Sequence, residues 1–313
     1  MSATDQFTES PTLTAIAIAY KNPDVSLIAD EVLPRVPTPR SFKYHKYDEA
    51  GDFTVPDTRV GRRSSPNQVE IEGTETDASV EAYGIDIPLD NVTIEEAKKQ
   101  KWNPEGKATE RATNIVNLDR EIRVAKLVSD PTNYHADHVE ALSGSDLFSD
   151  PGSDPISILE DMMSTCWVKP NQLGFGFKVW RDLRKHPKVV KAIHGNSGDQ
   201  GRATKAQVAE LLEIKRILVG ESRVNLKRPG EDPVLARVWD NIVCGQYIDR
   251  TADTSGGMTF GFTAVHGKKV AGTLPANMGI HGGKLIRSAE EVREVVIASR
   301  AGFLIQNATA PDA

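Results

Sequence analysis

The first ninety residues contain long alternating segments with almost no core of their own. Residues 42–90 alternate apolar and polar side chains, which is typical of β-strands with one buried face. Residues 104–307 have instead the patterning of an ordinary mixed α and β protein. A segment that cannot bury itself must complete its core elsewhere, most simply on another copy of the chain. This contrast indicates a protein that assembles with other copies more strongly than it indicates an enzyme.

The alternating segments predict one long hairpin. Its first leg runs from Phe42 to Val60 and its second from Gln68 to Leu89, with a turn-forming tip at residues 61–67. At about 3.3 Å per residue each leg reaches roughly 60 Å, which is longer than a domain of this size is wide. The alternation changes phase next to Gly84, which predicts a bulge or bend there. Because an isolated two-stranded hairpin is marginally stable in water, it needs a partner surface.

Residues 1–41 predict an extended arm. A short helix is expected at Thr12–Tyr20, after which Pro34, Pro37 and Pro39 disfavour helical backbone. The arm also carries apolar side chains that we expect to lie on a neighbouring surface, namely Leu27, Ile28, Val32, Leu33 and Val36.

The remaining chain predicts an α+β fold. A long helix is expected at Pro104–Ser129, because Asn103 suits the N-cap and Pro104 suits the first helical position. Shorter helices and strands follow without the steady βαβ alternation of a parallel sheet. The long helix has an apolar stripe that predicts its buried face: Ala108, Ala112, Ile115, Leu118, Ile122 and Ala125.

Composition excludes several functional classes. The formal net charge is −6, so the chain has no overall attraction for nucleic acid or for an anionic membrane. No apolar run approaches the roughly 18 residues that span a bilayer, and no basic start precedes the apolar segment near residue 13, so we expect neither a membrane span nor a signal peptide. Cys166 and Cys244 predict two buried free thiols, as in a protein made in a reducing cytosol.

The strongest metal-like cluster is His135 and His138, accompanied by Asp137 and Glu140. Ligands three residues apart can share one helix face, but Ala136 stands where a catalytic glutamate would be needed. A solvated polar loop is the favoured interpretation. The sequence therefore predicts no catalytic residue, no metal ligand and no cofactor.

Two other glycine or cysteine patterns carry little chemistry. Gly174-Phe-Gly176 begins like a dinucleotide fingerprint but has Val179 at the third glycine position. Neither cysteine is tied to a histidine by a nucleophile pattern. At the hairpin tip, Arg62 and Arg63 are either a solvated turn or partners for acidic groups of a neighbouring subunit.

The ordered set of elements and several short segments resemble a known family. The segments are Leu27–Val36, Phe53–Asp57, Ser64–Glu70, Phe148–Asp150, Arg250–Thr254 and Thr259–Phe262. Together they resemble the major capsid proteins of tailed bacteriophages, which have the fold often called the Hong Kong phage fold. The sequence is most similar to the subfamily found in Mu-like phages and other siphophages of Gram-negative bacteria.

The resemblance implies a division of the chain into five parts. These are an N-terminal arm at 1–41, an extended hairpin loop at 42–90, a peripheral domain at 91–194 with a spine helix at 104–130, a mainly axial domain at 195–270, and a return to the peripheral domain with the C-terminal segment at 271–313. Axial domains of this fold meet at the five- and six-fold centres of the shell. The implied inter-subunit contact candidates are Arg62, Arg63, Phe53, Leu33 and Val36.

The resemblance also implies a function and partners. The chain is expected to assemble with itself into pentamers and hexamers of an icosahedral head that encloses double-stranded DNA without sequence-specific binding. A separate scaffolding protein and a portal are expected partners, and a decoration protein is an optional one. The protein is expected in the virion after assembly in the host cytoplasm, and not as an enzyme. The alternatives are an encapsulin-like nanocompartment shell and a metal-dependent enzyme that uses His135 and His138.

Overall fold

The structure is a computed structural model that describes residues 6–20, 27–47, 55, 57–68, 73–195, 201–228, 230–254 and 257–311. Its helices are α1 Pro11–Ala19, α2 Ala29–Val32, α3 Asn91–Lys99, α4 Pro104–Ser129, α5 Pro155–Thr165, α6 Phe177–Leu183, α7 Pro187–His194 and α8 Lys205–Leu211. The strands are β1 Thr8–Glu9, β2 Arg35–Pro37, β3 Ser41–Tyr47, β4 Gly73–Ser79, β5 Glu81–Asp90, β6 Val139–Ala141, β7 Gln172–Gly176, β8 Arg216–Gly220, β9 Arg223–Asn225, β10 Leu235–Arg237, β11 Ile242–Gln246, β12 Gly261–Ala276, β13 Gly283–Val296 and β14 Gly302–Gln306.

One sheet is built around the long antiparallel pair β12 and β13. Strand order is β1-β12-β13-β5, with β2 pairing in parallel beside β12. The register between β12 and β13 shifts once, between His266 and Val270. Helix α4 packs against β13 and β5, and α1 packs against β12. This sheet, α1 and α4 thus pack together.

A second, mixed sheet has the strand order β6-β14-β11-β7-β8. Its five strands come from five distant parts of the chain, and apolar side chains lie on both of its faces. One face packs against α5, α6, α7 and α8, and the other packs against α2 and the C-terminal part of α4. The domain boundary that was predicted at 194/195 therefore divides one sheet, and the boundary at 270/271 falls inside β12.

Helix α4 begins where the sequence predicts. The Asn103 side chain accepts a hydrogen bond of 3.0 Å from the Gly106 amide, and Pro104 occupies the first turn. Its buried face was predicted only in part: Ala108, Ala112 and Ala125 are buried, but Ile115 is 38% exposed. The buried face consists mostly of small and polar side chains, namely Ala108, Thr109, Ala112, Thr113, Val116, Arg120, Glu121, Val124, Ala125 and Val128. Small residues permit close approach to the sheet, and each polar side chain of this face makes at least one hydrogen bond.

The base of the predicted hairpin is confirmed. There β3 pairs with β4, from Ser41↔Ser79 to Tyr47↔Gly73. Beyond it, the described residues 57–68 are exposed and lack regular structure. The bend predicted at Gly84 was wrong. The break lies at Val80, while β5 pairs with β13 without a register shift because Gly84 allows close approach to Ala289.

The predicted extended arm is instead an integrated part of its own subunit where it is described. Val32 and Leu33 are fully buried, and β2 adds to the sheet beside β12. The predicted short helix is confirmed as α1, which buries Leu13 and Ala17. The apolar side chains of this segment therefore pack in the core of their own subunit, because α4 and β12 form a surface on which they lie.

Both cysteines are free and buried, as the sequence predicts. Burial raises the pKa of the Cys244 thiol to about 12, so the thiolate nucleophile is not formed at neutral pH. No helix in the described parts of the chain is both long enough and apolar enough to cross a membrane.

Leu33→Ala tests whether the arm stabilises its own subunit. We expect a loss of about 2–5 kcal/mol in the free energy of unfolding, because the change leaves a cavity in the core. Urea unfolding of the isolated subunit, followed by circular dichroism, measures this loss. The exposed Ile280→Ala serves as the control, for which we expect a change within about 0.5 kcal/mol. An unchanged unfolding midpoint for Leu33→Ala would show that the arm does not contribute to the subunit core.

Candidate assembly interface

A buried carboxylate on α4 holds the N-terminal segment against the body. Glu121 accepts hydrogen bonds from the amides of Ile28 at 3.0 Å and Ala29 at 2.9 Å. It also accepts one from the indole nitrogen of Trp239 at 2.6 Å. The two amides open helix α2, where backbone N–H groups lack partners within the helix and favour a negative charge. One side chain thus connects the arm, the spine helix and the second sheet.

Burial raises the pKa of the Glu121 carboxyl, and the hydrogen bonds from Ile28, Trp239 and Ala29 oppose that rise. A carboxyl whose folded-state pKa exceeds its unfolded value destabilises the fold slightly once it ionises. Glu121 therefore stabilises the fold through its hydrogen bonds, because ionisation of its carboxyl lowers the free energy of unfolding.

Charged groups extend from this point across the junction of three elements. The Arg120 guanidinium is buried, pairs with Asp30, and donates to the Thr263 hydroxyl at 3.1 Å. Arg35 of β2 pairs with Asp30 at 2.8 Å and with the buried Glu290 of β13 at 2.9 Å. Arg120 and Glu290 are the buried members of this cluster, whereas the Asp30 side chain is largely exposed. Removing the partner of a buried member leaves an uncompensated charge, which is strongly destabilising. The cluster fixes the position from which the hairpin departs.

The base of the hairpin is anchored by apolar packing. Phe42 belongs to a cluster with Phe262, Val295 and Ile297, and Tyr44 packs at its margin. The strands themselves are joined on the exposed side by a 2.7 Å contact between Lys43 and Glu75. The hairpin therefore has a fixed root on its own subunit.

The predicted contact residues differ in their placement. Arg62 and Arg63 are exposed in a turn that is closed by a 3.0 Å hydrogen bond from the Ser64 amide to the Gly61 carbonyl. Val36 is half-buried in β2 and packs at the margin of the Phe42 cluster. Phe53 lies outside the described residues. Leu33 is fully buried within its own subunit, so its side chain is not available to a neighbour.

The histidine pair has a structural arrangement. Arg300 donates to Nε2 of His135 at 2.7 Å, and Nδ1 of the buried His138 lies 3.0 Å from the Gly302 carbonyl. Burial lowers the pKa of His138. Among the described residues, no group of three or more His, Cys, Asp or Glu side chains could hold a metal ion. The pair thus connects the segment before β6 to β14, and the metal-dependent enzyme is not favoured.

Sequence reasoning missed the polar cluster at the root of the arm. Arg120 and Glu121 are adjacent charged residues that interrupt the apolar stripe of α4, and exposed helix faces have the same composition. One signal was available in the sequence. Any orientation of the helix that buries both Ala112 and Ala125 also places charged residues near the core.

Comparison of structures identifies the class of protein first. The fold matches that of a phage-related protein from Bordetella bronchiseptica RB50 with a TM-score of 0.76, covering 98% of this chain and 99% of that chain at 20% identity. It is the Hong Kong phage-type capsid fold. The long helix that the sequence predicts for this fold is α4.

Sequence comparison then identifies the family. The chain is 46% identical over 306 residues to the major capsid protein of Pseudomonas phage JBD67, covering 97% of this chain and 98% of that protein. It is 25% identical over 307 residues to the major capsid protein of Burkholderia phage BcepMu, covering 94% and 95% of the two chains. No protein-family model matches the sequence. The chain belongs to the major capsid proteins of tailed bacteriophages.

Glu121→Ala tests the carboxylate that connects the arm to the spine. We expect at least about 3 kcal/mol lower unfolding free energy, because the two amides and the Trp239 indole lose their acceptor at about 1 kcal/mol or more each. The buried Ser222 hydroxyl also loses a longer contact of 3.5 Å. Glu121→Gln keeps one acceptor oxygen and should lose less. Urea unfolding of the isolated subunit measures both. Glu110→Ala, which changes an exposed residue of the same helix, is the matched control, and equal stability of all three variants would contradict the assignment.

Asp30 predicts a specific acid sensitivity. Burial raises the pKa of Asp30, but Arg120 and Arg35 together outweigh it and lower the pKa from 3.8 to about 2. The stability from this carboxylate is therefore fully present above its ordinary pKa and is lost as the pH falls towards 2. Unfolding free energies measured across this range should fall less steeply for Asp30→Asn than for wild type. The exposed Asp161→Asn should follow the wild-type slope, and the same slope in all three would refute the role of Asp30.

Proposed function

We propose that this chain forms the icosahedral head shell of a tailed phage and encloses its double-stranded DNA genome. The observation that carries the proposal is the 46% identity to a phage major capsid protein over almost the full length of both chains. Shell formation also suits the fold, because the hairpin has a fixed root and an exposed distal part. The proposed particle contains pentamers and hexamers of this one chain.

Physical considerations support assembly by many modest contacts. Each subunit of a closed shell touches several neighbours, so the effective concentration is high once a shell has begun. Hairpin segments that become ordered on binding reduce the affinity of the first encounter. The net charge of −6 fits a container for DNA, since a strongly basic wall would hold DNA through counterion release.

The contact that we propose for the hairpin uses its tip. Arg62 and Arg63 would pair with acidic groups on the adjacent subunit, and Phe53 and Val36 would add apolar contact. Leu33 is not part of the proposed contact, because its side chain is buried within its own subunit. For the domains, we propose that the β12–β13 sheet with α4 forms the peripheral part and that the five-stranded sheet forms the axial part.

The remaining partners follow from the proposed role. A separate scaffolding protein would guide assembly in the host cytoplasm, and a portal would occupy one vertex. A decoration protein is an optional outer partner. The protein would act without catalysis, and its final location would be the virion.

A nanocompartment shell is the second candidate, because a shell built on this fold can enclose protein cargo in place of DNA. The sequence relatives, both of them phage major capsid proteins, favour the phage head. The contents of purified particles distinguish the two, since nuclease-protected DNA supports the head and an enclosed cargo protein supports the nanocompartment.

The test is sedimentation of the purified chain with its phage scaffold, followed by negative-stain microscopy of fast-sedimenting material. We expect closed particles tens of nanometres across from wild type. Arg62→Glu/Arg63→Glu should abolish them while leaving the circular dichroism spectrum and Tm unchanged, because both residues are exposed. Lys98→Glu/Lys99→Glu on α3 makes the same change of charge elsewhere and should assemble. Wild type that stays monomeric would overturn the proposed function.

A further inference from the structure

A short hairpin after β8 presents apolar side chains to solvent. Strands β9 and β10 pair in the register Leu235↔Asn225 and Arg237↔Arg223. At its outer end Leu226 is 66%, Leu235 58% and Val234 48% exposed. A two-stranded ribbon is marginal by itself in water, so this one is suited to packing against another surface.

The root of this hairpin is held firmly. The Arg237 guanidinium lies 4.1 Å from the centroid of the Phe177 ring, and it donates to the Glu221 carbonyl at 2.5 Å. Trp239 packs directly over Gly220 at the end of β8. The exposed apolar side chains are therefore presented from a fixed position beside β8.

The β8 side of the five-stranded sheet is basic. Residues 201–228 of this side carry more exposed cationic than exposed acidic side chains: Arg202, Lys205, Lys215, Arg216, Arg223, Lys227 and Arg228 against Glu210, Glu213 and Glu221. The loop of hairpin β9–β10 adds the exposed Glu231 and Asp232, so the surface keeps an excess of positive charge. We call this surface, together with hairpin β9–β10, the basic edge.

The opposite side of the same sheet is acidic. Residues 127–168 contain no lysine or arginine. Around β6 the exposed charges are Asp130, Asp137, Glu140 and Asp146, and Ala141 and Leu147 add apolar surface. We call this surface the acidic edge. Strands β6 and β8 are the two outer strands of the sheet, so four strand spacings separate the edges by about 19 Å.

We propose that the basic edge of one subunit docks on the acidic edge of a second copy of this chain. Hairpin β9–β10 would bury its apolar side chains there, and the opposite charges would set the register. A two-fold contact of either edge with itself would bring like charges together, whereas a head-to-tail contact brings opposite charges together. Repeated head-to-tail contacts form closed rings where the rotation between neighbours is a whole fraction of a turn, which is the case in pentamers and hexamers. This inference rests on the proposed function and identifies the surfaces that form its pentamers and hexamers.

Reversal of each edge tests the pairing. Glu140→Lys/Asp146→Lys gives a chain with two basic edges, and Lys205→Glu/Lys215→Glu gives a chain with two acidic edges. We expect each variant alone to form at least tenfold fewer rings and particles than wild type in sedimentation. All four substitutions in one chain exchange the edges and should restore assembly. Glu210→Lys, an acid-to-lysine change on α8, adds charge to the basic edge and should assemble at least as well as wild type.

A mixture of the two reversed variants gives a sharper outcome. Each should bind the other, so alternating hexamers form, while a five-membered ring cannot alternate and closed shells stay absent. Circular dichroism and Tm establish that each variant is folded. Leu226→Ser/Leu235→Ser, which alters no charge, should also reduce ring formation.

The outcomes separate the two proposals. Wild type without particles would overturn the proposed function itself. Wild-type particles together with normal assembly of both reversed variants would overturn this inference alone, and so would reversed variants that fail to associate when mixed.

Discussion

A single buried carboxylate connects three parts of the subunit. Glu121 accepts from the amides that open α2 and from the Trp239 indole, so arm, spine and second sheet meet at one side chain. Arg120, adjacent on α4, pairs with the arm through Asp30 and contacts β12 through Thr263. Apolar packing has little directionality, but hydrogen bonds to buried groups fix one geometry. The direction in which the arm and hairpin leave the body follows from that geometry.

This arrangement separates what stabilises the subunit from what remains for assembly. The described arm contributes its apolar side chains to its own core, with Leu33 fully buried. The hairpin keeps only its base, β3 and β4, on its own subunit, while residues 57–68 are exposed. The five-stranded sheet leaves differently charged surfaces at its two outer strands. A shell protein needs both properties, because a subunit must be folded before it joins and must still have surfaces that are satisfied only by neighbours.

Local signals predicted the elements well, and they failed where packing between distant segments decides. The cap and the first turn of α4 were predicted because Asn103 and Pro104 act on their immediate neighbours. The buried face of that helix was predicted only in part, since Ile115 is 38% exposed and Glu121 is buried. Hydrophobicity ranks side chains individually, whereas α4 buries small residues for close approach and a charged residue for its hydrogen bonds. The same limit applies to Leu33, whose partner surface lies on elements far along the chain.

The sequence by itself determined the class of fold, the base of the hairpin, the short helix α1 and the long helix α4. Periodicity, caps and turn residues encode these features within short windows. Only the tertiary structure decided that the arm packs on its own subunit and that Val80, not Gly84, separates the hairpin from β5. It also decided that acidic and basic segments lie at opposite edges of one sheet. Those outcomes depend on strand order and on which distant groups satisfy one another, and no local window contains that information.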